Sequence, residues 1–233
     1  MEDNKLVNDK LVAFWDSALT LTDDFKNQIE QVHDSDYKEL APAEKLIAAA
    51  ESLGKCDKVL DYGCGDGWAS TIIAKSGCKH IDAVDIGTHI IDTAKFCFEH
   101  FKANVNAFEI SPNWLKNTAK PKYNGVFCSN VLDVLPLETS EEIIENLARI
   151  TLPNAQVIIG LNFYLDKELA SQRGMKLVDD KYLFVEGILR LLNLSDDEWK
   201  ELFSPYFEIK KLEYFAWPGE KSETRRLFYL RRR

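Results

Sequence analysis

The 233-residue sequence predicts one α/β domain, a largely parallel sheet with helices on both faces. Three observations predict it. Short apolar runs alternate with amphipathic stretches between residues 58 and 162, the pattern of strands buried on both faces and joined by helices. A glycine-rich turn in "VLDYGCGDGWAS", Val59–Ser70, links the first of these runs to the first helical stretch. Two longer runs, "FEIKKLEYFAW" and "RRLFYLRR", flank the turn segment "PGEKSE" near the end of the chain. Such a pair reads as an antiparallel hairpin.

The elements follow in order. Residues 1–54 read as a helical segment. In "LVAFWDSALTL", Leu11, Phe14, Trp15 and Ala18 fall on one face. "APAEKLIAAAESLG" has Pro42 near a helix start and Gly54 at its stop. Residues 55–162 form the sheet core: strands "KVLDYG", "HIDAVDI", "NVNAFEI", "NGVFCSN" and "AQVIIGLNF". Thr88 is placed to cap the helix "HIIDTAKFCFEHF", and Thr139 or Ser140 the helix "EEIIENLARI". Residues 163–204 read as an insertion with one helix, "DKYLFVEGILRLL", followed by a helix opened by the capping box "SDDE". Residues 205–233 carry the hairpin.

Composition narrows the function. A net charge of −9 argues against a surface devoted to nucleic-acid phosphates. The arginines of "RRLFYLRRR" read as the solvated face of a last strand, with a short anion-binding patch as the alternative. Five cysteines show neither a CxxC pair nor metal-ligand spacing, so no metal site is expected. The charged start and the lack of any membrane-length apolar stretch predict a soluble, cytoplasmic protein with no membrane partner.

The glycine turn carries the chemistry. A strand ending Asp-x-Gly-x-Gly-x-Gly presents bare backbone N–H groups to a ligand. It lacks the Gly-Lys-Ser/Thr of a phosphate cradle. Its third glycine comes one residue too early for the dinucleotide fingerprint G-x-G-x-x-G. Asp61 stands two residues before the first glycine, a poor neighbour for pyrophosphate and a good one for a cation. Asp85, 18 residues after Gly67 at the end of the next strand, is placed to accept both hydroxyls of a ribose. A cationic nucleoside without phosphate, such as S-adenosyl-L-methionine, meets all of these conditions.

In these motifs the chain resembles the class I S-adenosylmethionine-dependent methyltransferases: "VLDYGCGDG" is similar to their first motif and "IDAVDI" to their second. The resemblance implies a Rossmann-like sheet of seven strands in the order 3-2-1-4-5-7-6, with strand 7 antiparallel. It implies that Asp61, Gly63, Cys64 and Gly65 hold the methionine portion, Asp85 the ribose and Ile86 the adenine. Ser111 stands where the family often has an acid near the adenine, so Trp114 or the backbone around Ser111 takes that place. Asn130, at the tip of the fourth strand, faces the methionine portion or the substrate.

Methyl transfer from a sulfonium mainly requires alignment, with a general base only for some acceptors. Asp133 in "SNVLDVLP" is the candidate base. That segment lacks both the Asn/Asp-Pro-Pro-aromatic loop of nucleic-acid amino-methyltransferases and the Pro-Cys of cytosine enzymes. A small-molecule acceptor is therefore expected, with Trp15, Tyr37 and Tyr164 as pocket candidates and residues 163–192 as a lid. The alternatives are a protein or tRNA acceptor, a nicotinamide-dependent oxidoreductase, and a cofactor-binding domain without catalysis.

Overall fold

The structure, a computed structural model, describes residues 4–233, and side chains from residue 9 onward. The N-terminal segment folds as α1 (Asn4–Ala18), α2 (Asp23–Gln31), a 3₁₀ segment (Asp34–Leu40) and α3 (Glu44–Ser52). The core alternates β1 (Lys58–Tyr62), α4 (Trp68–Lys75), β2 (His80–Asp85), α5 (Thr88–His100), β3 (Asn106–Glu109) and α6 (Trp114–Asn117). It continues through β4 (Tyr123–Ser129), α7 (Leu137–Ile150) and β5 (Thr151–Leu161). After β5 come α8 (Lys167–Gln172), β6 (Lys176–Val178), β7 (Tyr182–Val185), β8 (Ile188–Leu192) and α9 (Asp196–Phe203). The chain closes with β9 (Phe207–Phe215) and β10 (Arg225–Arg232).

The large sheet has the order β3-β2-β1-β4-β5-β10-β9. β1 to β5 run parallel, while β10 pairs antiparallel with both β5 and β9. The expected seven-stranded order is thus the observed one. The strands alternate their side chains between two cores. Leu60, Val84, Val126 and Cys128 pack on one face with α7 and α9, and Val59, Ile81, Phe127 and Ile158 on the other with α3 and α4. Parallel order leaves the carboxyl ends of β1, β2 and β4 side by side, where connecting loops converge on a ligand.

Four local readings are corrected. Residues 180–192 form the β7–β8 hairpin of a three-stranded antiparallel sheet, β6-β7-β8, rather than a helix. Glu186 (φ 51°) and Gly187 (φ 77°) supply a two-residue turn with two positive φ values, which joins strands and ends a helix. Thr88 makes no cap; its hydroxyl donates to Glu109, and Asp16 of α1 caps α5 instead, its Oδ1 accepting from His89 N at 2.9 Å and Ile90 N at 3.3 Å. Ser140 lies inside α7, fully buried, donating to Leu132 O at 2.6 Å. Finally, the first arginines of β10 are not solvated: Arg225 and Arg226 are 6% and 1% exposed. Arg226 donates to Asn162 O and Leu194 O at 2.8 and 2.7 Å, joining the end of β5 to the end of the insertion. The capping box at Ser195 and Glu198 forms as expected.

Candidate active site

The glycine turn follows β1 without a break. Gly63, Gly65 and Gly67 have φ of 75°, 54° and 88°, a conformation that L side chains rarely adopt. Space adds a second constraint. A Cβ on Gly63 would lie 2.2 Å from Val131 Cγ2, and one on Gly67 would lie 2.6 Å from the Phe98 ring. The backbone therefore runs closely under the β4 loop on one side and along α5 on the other.

Asp85 organises this loop. Its Oδ2 accepts from Gly65 N at 3.1 Å and its Oδ1 from Ile86 N at 2.8 Å. Gly63 N and Cys64 N both donate to Val84 O, at 2.8 and 3.0 Å. Ile110 N donates to Asp85 O at 2.8 Å, which brings the Ile110–Ser111 segment alongside. The structure thus gathers Gly63, Cys64, Gly65, Asp85, Ile86 and Ser111 at the carboxyl ends of β1 to β3. Ser111 is exposed and Asp85 and Ile86 half-buried, so this edge is open to a ligand.

Asp61 lies below the loop, 1% exposed, its Oδ2 accepting from Ser70 Oγ at 2.6 Å. Burial pushes its carboxyl up to about 7 despite that hydrogen bond. Burial likewise raises Asp66, to about 6, and Asp85. Three carboxyl groups held reluctantly charged make a floor that gains from a cationic ligand and repels a pyrophosphate. The Cys64 thiol points elsewhere: it is buried with Ala83, Ile91, Ala94 and Phe98, and burial raises it well above its usual value. Cys64 contributes backbone to the site, and its side chain fills space.

Asn130 ends β4 in a left-handed conformation (φ 57°), and its N–H donates to Gly160 O at 2.9 Å. Its side-chain Oδ1 is buried without a hydrogen-bond partner. Buried acceptors are rarely left unpaired, and this one sits next to Val131, which covers Gly63. The bare loop, the carboxyl floor and this orphan acceptor fit a cationic amino-acid nucleoside.

Over this floor lies α1. Leu19 Cδ1 is 4.0 Å from the point where a Gly65 Cβ would be, and Thr93 Oγ1 donates to Leu19 O at 2.7 Å. Asp16 Oδ2 also pairs with His89 Nδ1 at 2.6 Å. α1 packs against α5 and β8, and β8 packs against residues 132–134 beyond Asn130. The helix and the small sheet together form a roof. Trp15 belongs to it, its ring edge-on to Phe14 at 5.1 Å. No local signal marks Asp16, Leu19 or Arg190 of β8, because their roles depend on contacts far along the chain.

Other candidates fall outside the site. Asp133 is completely buried, and its Oδ2 accepts from Asn162 N, so it has no open face from which to act as a base. Trp114 packs edge-on to Phe108 at 5.7 Å and lies 5.9 Å from Lys122 Nζ, at the opening of β4 rather than at its tip. Tyr37 packs with Phe25 and Ile29 behind α5, away from the roof. Tyr164, on the connection after β5, is 53% exposed.

Comparison with known proteins agrees with this geometry. Residues 59–154 match the model of a methyltransferase domain. Ribosomal protein L11 methyltransferase from Thermotoga neapolitana is 27% identical over 135 residues, covering 55% of this chain. The match spans about half of that protein, 47% of its length. Magnesium protoporphyrin IX methyltransferase from Synechocystis PCC 6803, solved with S-adenosylhomocysteine, superposes with a TM-score of 0.61 and 17% identity, over 82% of this chain and 81% of its own. 1,6-Didemethyltoxoflavin-N1-methyltransferase from Burkholderia thailandensis, solved with 1,6-didemethyltoxoflavin and S-adenosylhomocysteine, gives 0.61 and 15%, over 81% and 79%. The methyltransferase-domain match covers residues 59–154 of the 233, and the sheet order β3-β2-β1-β4-β5-β10-β9 gives the chain the fold of these solved methyltransferases.

Proposed function

We propose that this protein transfers a methyl group from S-adenosylmethionine to a small-molecule acceptor. The observation that carries the cofactor is the loop Gly63–Gly67 clamped by Asp85 above a buried carboxyl floor. In this reading the loop amides and Asn130 Oδ1 hold the methionine end, and Asp85 takes the ribose hydroxyls. Ile86 and the backbone at Ser111 take the adenine. The bound cofactor supplies an electrophilic methyl on a sulfonium. The chain's part is alignment, which is worth about 7–11 kcal/mol when reactants are held in line.

Three observations support a small acceptor. The net charge is −9, a poor basis for binding RNA. α1 packs on α5 and β8, and β8 on residues 132–134, so the loop edge is flanked by packed elements rather than by an open groove. The two structural relatives described above are named for small-molecule substrates. A protein acceptor is the second reading, favoured by the likeness to ribosomal protein L11 methyltransferase. Five free cysteines fit a reducing, cytoplasmic setting. Incubation with methyl-labelled S-adenosylmethionine and cell extract, followed by size fractionation, tests the choice. Label in the low-molecular-weight fraction supports it; label only in protein overturns it.

A further inference from the structure

The roof carries a cation without an anion. Arg190, half-buried on β8, places its guanidinium 4.4 Å from the Phe14 ring centroid and 5.5 Å from that of Trp15. It makes no hydrogen bond or ion pair among the described residues. Beside it, Trp15 Nε1 is a buried donor with no acceptor. Asp16, the adjacent carboxylate, is engaged by His89 and by the first turn of α5.

Two observations of different kinds therefore meet at one place: an unpaired charge and an unpaired N–H, both donors. A guanidinium held over aromatic rings by cation–π attraction uses none of its N–H groups there, which leaves its donor fork free to grip a carboxylate through two parallel bonds. A buried donor left unmade is unfavourable, so one indole N–H and one fork beside it favour an oxyanion. The carboxyl floor under the glycine loop repels such a group, which places it on the roof side.

We propose that Arg190 and the indole N–H of Trp15 bind a carboxylate of the methyl acceptor, so that the acceptor is a small carboxylic acid. The proposal rests on the methyltransferase reading and specifies its substrate class. The same chemistry has one other source, the carboxylate of the cofactor's own methionine portion, and the test separates the two.

The probes are S-adenosylhomocysteine, its decarboxylated analogue, benzoate and the uncharged, similarly shaped benzamide, titrated calorimetrically. Protein saturated with S-adenosylhomocysteine is expected to bind benzoate at least tenfold more tightly than benzamide. Arg190→Gln should remove that preference and Trp15→Phe should weaken benzoate severalfold. Both variants should keep S-adenosylhomocysteine affinity within about twofold and an unchanged circular dichroism spectrum. Equal binding of benzoate and benzamide, or no binding of either, overturns the proposal, as does a preference that survives Arg190→Gln. Loss of S-adenosylhomocysteine affinity in Arg190→Gln, with the decarboxylated analogue bound equally by both proteins, assigns the pair to the cofactor and overturns it too. If wild-type protein does not bind S-adenosylhomocysteine at all, the methyltransferase reading itself has failed.

Discussion

The floor and the roof of the site are built by different means. The floor is local: a strand, a turn of alternate glycines, and one carboxylate from the next strand that pins the turn through Gly65 and Ile86. The roof is assembled from distant parts, with α1 reaching across 73 residues to His89 and the β6–β8 sheet arriving after β5. The floor can be pre-formed by the sheet alone, because backbone conformation and strand order fix it. The roof depends on side-chain pairs at exposed or half-buried positions, which contribute less each and respond to pH and salt. In the function proposed above, generic cofactor binding falls to the floor and acceptor choice to the roof.

This contrast can be broken at either end. The largest effect is expected at Gly63. An alanine there meets both a φ of 75° and Val131 Cγ2 at 2.2 Å. Backbone strain and overpacking together should cost about 2–4 kcal/mol of folding stability, read by denaturant unfolding, with loss of S-adenosylhomocysteine binding. A stable Gly63→Ala protein with intact affinity would show that the loop is not tightly constrained. Next comes Asp85→Ala, expected to weaken S-adenosylhomocysteine by about 1.5–3 kcal/mol, the range for hydrogen bonds to a charged group. Because Asp85 also holds Gly65 N and Ile86 N, some folding stability should go with it.

The roof should respond more weakly. Asp16→Ala removes the cap of α5 and should lower stability by about 0.5–2 kcal/mol, while an isolated loss of the His89 pair is smaller. The pH dependence has a defined sign. The pair with Asp16 raises His89, so its contribution is complete below about 6.5 and is lost as pH rises through the raised value. Hydrogen bonds from His89 and Ile90 hold Asp16 low against a raising effect of burial, so its contribution is present above about 3.8 and is lost at more acidic pH. The difference between Asp16→Ala and wild type, followed by thermal melts, should thus be greatest between about pH 4 and 6.5. A difference independent of pH would leave the helix cap as the whole effect.

The same division explains what the sequence disclosed. The strands, the glycine loop and Asp85 were legible because period, spacing and backbone chemistry are local properties; the strand order came from the family resemblance. The roof was not. "DKYLFVEGILRLL" carries apolar residues at helical and strand spacing alike, and only the left-handed turn at Glu186–Gly187 decides for a hairpin. Asp16 caps a helix that starts 72 residues later, where the expected cap was the local Thr88. Asp133 sat in the right segment for a base, but its burial against Asn162 follows from tertiary packing. Arg190 has no motif, and its isolation from carboxylates exists only in three dimensions.

A floor suited to a cationic nucleoside should respond to pH through the buried carboxyl of Asp61. Burial holds that group up to about 7, so at acidic pH it is protonated and the floor loses charge. A bound cation favours the ionised form, so binding must release protons and strengthen as pH rises through about 7. Calorimetric titration with S-adenosylmethionine at pH 6 and pH 8, in two buffers of different ionisation enthalpy, measures both quantities; NAD is the control. Tighter S-adenosylmethionine binding at pH 8, proton release near neutrality that disappears in Asp61→Asn, and no saturable NAD binding are expected. Saturable NAD binding without S-adenosylmethionine binding, or cofactor affinity that falls as pH rises, would contradict a floor suited to a cationic nucleoside.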